Sequence, residues 1–81
     1  MAKRISKKQA EVIRQDILAH FRKVEANLDF VISQKGKIAI NCNHGDCDRI
    51  GQYCLRTYPK QVYTYYAYHG FRRGALSIFF K

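Results

Sequence analysis

Apolar residues recur at spacings of three and four from Ala10 to Leu28, through Ile13, Ile17, Phe21 and Val24. At 100° per residue they fall within a sector of roughly 80°, the stripe of an amphipathic helix. Ser6, with Gln9 three residues on, makes a capping-box start. Asn27 can take the left-handed conformation that stops a helix. A first helix is therefore predicted over 6–27. The period then changes to two. Phe30 and Ile32 alternate with Val31 and Ser33, and Ile38, Ile40 and Cys42 alternate with Ala39 and Asn41. These read as a hairpin, 29–33 and 37–42, turning at Lys35-Gly36, where Gly36 is free to take a positive φ. Asn43 is a good N-cap with Asp46 and Asp48 in the turn that follows. Cys47, Ile50, Gly51, Cys54, Leu55 and Tyr58 return to helical spacing, so a second helix is predicted over 44–57, stopped by Pro59. The remaining stretch, QVYTYYAYHGFRRGALSIFFK, reads as a second hairpin, 61–69 and 75–80.

The order α-β-β-α-β-β predicts a single α+β domain over 1–81, with 1–5 as a basic lead-in. Two helices cover one face of a four-stranded antiparallel sheet, and the other face can stay open. Strand parity says what lines it. With Leu76, Ile78 and Phe80 toward the helices, Phe79 points away. On the preceding strand, Val62, Tyr66 and Tyr68 are assigned inward, and Tyr63 and Tyr65 outward. The last strand is taken as an exposed edge that could pair across a homodimer. No internal repeat or linker is apparent.

Charge adds to this picture. Fifteen Lys and Arg stand against six Asp and Glu, a formal net charge of +9, and no acidic residue follows Asp48. Self-repulsion on this scale in so small a domain is relieved by a counter-charged partner, most commonly nucleic acid. No apolar run approaches the ~20 residues of a membrane span. MAKRISKKQ has no apolar segment behind its charges and does not read as a signal peptide. Three cysteines without a secretory signal are expected as reduced thiols in the cytoplasm.

Three features point to a polyanion. Exposed Tyr63, Tyr65 and Phe79 can stack on unpaired bases. Arg72 and Arg73, between Gly70 and Gly74, can reach phosphates. Lys7, Lys8, Arg14 and Arg22 share a polar helix face, and Lys35 and Lys37 flank the first turn. RNA is favoured over DNA because unpaired bases are its usual target. Specificity should be low, since no arrangement here reads base edges. Leu18, set within the basic helix face, favours an alternative: an inhibitor docked on an acidic protein surface.

Catalytic and metal chemistry find less support. Cys42, His44, Cys47, Cys54 and His69 suggest zinc, but the usual Cys-x-x-Cys knuckle is missing, and Cys47 and Cys54 sit on the core stripe. No cofactor or metal is assigned. His69 beside Tyr68, Arg72 and Arg73 could act on RNA in the manner of small basic endoribonuclease toxins, although their paired Gly-Ser-His element is absent. The chain is read as a non-enzyme, with a small ribonuclease as an alternative.

MAKRISKKQ, the charged helix behind it and the acid-free aromatic tail together resemble the small, highly basic early proteins of phages. The resemblance rests on size and charge along the whole chain and assigns no residue a role. It implies RNA binding and the neutralising of host defences, as by antitoxins against ribonuclease toxins, with a host nuclease as the acidic protein partner.

Overall fold

The computed structural model describes residues 5–21, 23–30, 36–70 and 73–81. The elements are α1 (Lys7–His20), β1 (Glu25–Phe30), β2 (Gly36–Cys42), α2 (His44–Thr57), β3 (Val62–His69) and β4 (Gly74–Phe80). The fold is the expected α+β arrangement. Ser6 caps α1, its hydroxyl accepting from the Gln9 amide at 3.1 Å. Asn43 occupies the N-cap of α2 without a side-chain hydrogen bond. Ile13 and Ile17 of α1, and Cys47, Ile50 and Cys54 of α2, share one core with Ile38, Ile40, Leu76, Ile78 and Phe80 of the sheet. Both helices therefore cover the same sheet face. Among the described residues, no helix is long and apolar enough to cross a membrane.

Helix α1 ends at His20, seven residues before the expected 27, and Lys23 takes the positive φ of 61° in place of Asn27. Strand β1 then starts at Glu25. Leu28 satisfies period two, with Ala26 and Phe30, as well as the helical stripe, and pairing decides between them. Glu25 to Phe30 match Asn41 to Gly36 of β2 residue by residue. Gly36 belongs to β2, and no glycine among the described residues has a positive φ. Its missing side chain makes room instead, since a Cβ there would lie 2.6 Å from the Phe30 ring.

The strand order is β1-β2-β4-β3, so β4 is central and the edges are β1 and β3. This corrects the expected last-strand edge. Ile38 faces Ile78 and Ile40 faces Leu76 across the β2–β4 pair. These fully buried positions need neighbours on both sides. The chain also carries a repeat that its letters hide. Two α-β-β units follow one another, and β2 and β4 bury their residues in the same sequence from Gly36 and Gly74. Ala39 and Ser77, equivalent positions in the two units, pair directly, so a pseudo-twofold axis passes between them.

Two close contacts hold this arrangement. Gly74 lies beneath the start of α2, where a Cβ would sit 2.5 Å from Cys47 Sγ. Gly74→Ala should therefore lower stability by about 1–3 kcal/mol, read by urea denaturation. A variant as stable as the parent would show that α2 can lift off the sheet at no cost. The second contact joins the helices. Asp16 of α1 accepts hydrogen bonds from the Tyr53 hydroxyl (2.9 Å) and the Tyr58 hydroxyl, and His20 Nδ1 lies 2.8 Å from its other oxygen. Burial raises the Asp16 pKa, but the bonds from Tyr58, Tyr53 and His20 outweigh it and hold the carboxyl below its ordinary value. The same carboxylate, followed by burial, pushes the Tyr58 phenol up.

Candidate nucleic-acid interface

The sheet face away from the helices is uncovered by any described residue. Its centre is nearly flat, because β2 and β4 place Ala39, Asn41, Ala75 and Ser77 there. One rim is acidic: β1 turns Glu25, Asn27 and Asp29 outward. The opposite rim is aromatic. Tyr63, Tyr66 and Tyr68 of β3 are 68%, 63% and 59% exposed, and Phe79 of β4 is 37% exposed. These values leave the ring faces free for a planar ligand.

The tyrosines facing outward differ in part from those expected. Val62 pairs with Phe80, but Thr64, two residues on, pairs with Phe79, so Tyr63 is an extra residue in the ladder. This bulge reverses the parity of the rest of β3. Tyr65 turns inward and Tyr66 and Tyr68 turn outward, the opposite of the sequence assignment. Tyr63 and Phe79 face outward as assigned. Tyr65 lies under α2, where a Cβ on Gly51 would be 2.5 Å from its ring. Its hydroxyl accepts from Gln52 Nε2 at 3.0 Å. The glycine in the middle of α2 was the available sign of a large ring packed against that helix. Tyr66 and Tyr68 are the residues that sequence reasoning missed.

The basic residues divide between two sides. Lys37 projects from the open face beside Phe79, with Nζ 4.0 Å from Asp29. Arg73 is exposed at the β3–β4 turn, where its carbonyl accepts from the Gly70 amide at 3.1 Å. Lys7 and Lys8 lie on the helix layer, away from the tyrosines, and Lys7 Nζ stands 5.8 Å from the centre of the Phe30 ring. Arg14 is not free for phosphate. It is half-buried, pairs with Glu11 and donates to the Ala26 carbonyl at 3.2 Å. That pairing holds the Glu11 carboxyl down at about 2. Arg22, Lys35 and Arg72 lie outside the described residues. Leu18 is half-buried and packs against the core.

The cysteine-rich segment closes one end of the sheet. Cys42 and Cys47 bring their sulfurs to 3.1 Å, both fully buried, and burial followed by Cys47 pushes the Cys42 thiol up to about 12. Among the described residues, no group of three His, Cys, Asp or Glu is arranged to hold a metal ion. Beside the cysteines, His44 and His69 meet edge to face, ring centres 5.6 Å apart. No protein-family model, no curated protein and no solved structure matches the chain.

Proposed function

We propose that the chain binds single-stranded nucleic acid, RNA in preference to DNA, along the β3–β4 half of its open sheet face. Bases stack on Tyr66, Tyr68 and Phe79, and Lys37 and Arg73 meet phosphates. The observation that carries this reading is the row of three exposed tyrosines on an uncovered sheet, in a chain of net charge +9. Aromatic platforms beside cations bind unpaired bases with little sequence preference, since every base has a stacking face. The acidic β1 rim repels phosphate and confines the strand to the aromatic side. In this reading Lys7 and Lys8 contribute long-range attraction and make no contact with the stacked segment. The proposed setting is cytoplasmic and phage-like, where Cys42, Cys47 and Cys54 stay as free thiols.

Phosphate neutralisation releases counterions, so the logarithm of affinity should fall linearly with the logarithm of salt concentration. Two phosphate contacts predict a slope of about −1.4 for a single strand, steeper as further cations join. A filter-binding or anisotropy titration of an RNA oligonucleotide measures it. An affinity that does not change with salt overturns the reading.

A further inference from the structure

We propose that the His44–His69 pair cleaves the RNA strand that the open face holds. The proposal rests on the nucleic-acid reading above and adds a reaction to it. Tyr68 and His69 are consecutive, so the last outward ring of β3 and the first imidazole beyond it sit on opposite sides of the same strand end. A Cβ on Gly70 would lie 3.3 Å from the Tyr68 ring, which places that ring against the turn. The two faces meet at this strand end, so a strand stacked on Tyr68 and turning over the end of β3 would bring a later phosphodiester to His69 and to His44 at the start of α2.

The groups gathered there suit phosphodiester transfer. Two exposed imidazoles lie 5.6 Å apart between ring centres, near enough to serve one phosphate. The Asp48 carboxylate is 3.9 Å from His69 Nε2 and faces that ring from α2. Arg73, at the same turn, brings a fixed positive charge for the crowded phosphorane. Imidazole suits the task because it accepts and returns protons near neutrality. The 2′-hydroxyl of the ribose attacks the neighbouring phosphorus, and one imidazole takes its proton. The P–O5′ bond breaks as the P–O2′ bond forms, and the other imidazole, protonated, gives its proton to the departing 5′-oxygen. The products are a 2′,3′-cyclic phosphate and a 5′-hydroxyl, and the step balances without a co-reactant. DNA, lacking the 2′-hydroxyl, is bound but not cut.

The test incubates the full chain with an end-labelled, mixed-sequence single-stranded RNA and with its DNA counterpart. Expected are shortened RNA products ending in 2′,3′-cyclic phosphate, and intact DNA. His44→Asn and His69→Asn, purified identically, should each lower the cleavage rate about a hundredfold or more, with RNA affinity kept within about twofold. Far-UV circular dichroism reports the fold, and the Gln variants replace any Asn variant that loses it. RNA bound but left intact overturns the cleavage proposal and leaves the binding reading standing. Failure to bind RNA overturns both. Cleavage that survives in both histidine variants also overturns the proposal, because the activity then belongs to other groups.

Discussion

Tyr66→Ala and Tyr68→Ala should each weaken binding of single-stranded RNA by about five- to a hundred-and-fiftyfold, the loss of one base stacked on one ring, about 1–3 kcal/mol. Both rings are more than half exposed and make no hydrogen bond within the described fold, so their removal should barely change stability. Tyr66→Phe and Tyr68→Phe should bind nearly as well as the parent, because the ring and not the hydroxyl carries the contact. Tyr65→Ala should behave in the opposite way. It empties the space under Gly51 and leaves Gln52 without its partner, so stability should fall by about 2 kcal/mol. Anisotropy titrations set beside urea denaturation separate the two classes. Full affinity in the Tyr66, Tyr68 double alanine variant would move the binding surface off the open face.

Asp16→Ala should cost about 2–3 kcal/mol, since hydrogen bonds to a charged group are among the stronger ones and three partners share this carboxylate. Its pH dependence has a definite sign. The folded Asp16 carboxyl titrates below its ordinary value, so its contribution is complete above the ordinary carboxylate range. That contribution is lost as pH falls through the lowered folded value. Tyr58 acts at the other limit. Its phenol is raised in the fold, so it stabilises below the ordinary phenol range and that stability is lost as pH rises through the raised value. Urea denaturation of parent and variant from about pH 7 down to about pH 2 should therefore converge in acid. A constant gap across that range would show that the loss comes from packing alone and not from the carboxylate.

The phage-like resemblance rests on charge and size alone. The basic helix face and the aromatic hairpin, both read in sequence as nucleic-acid contacts, belong to two layers. A helix that buries Ile13 and Ile17 against a sheet presents its opposite side to solvent, away from the sheet's open face. Arg14 shows a further limit. A spacing pattern counts it as a free cation, but Glu11 one turn before it and the Ala26 carbonyl across from it use its donors.

The order of elements, the bounds of α2 and nearly all of the core were legible in the letters. Caps, Pro59 and the two apolar periods act within a few residues and need no partner. The helix-to-strand change at Phe21, the central place of β4 and the outward tyrosines were decided only by the tertiary structure. Leu28 fits either period until β2 lies beside it. One unmatched residue, Tyr63, turns over every side chain after it, and whether a strand bulges is settled by the register it keeps with its neighbour and the helix packed above.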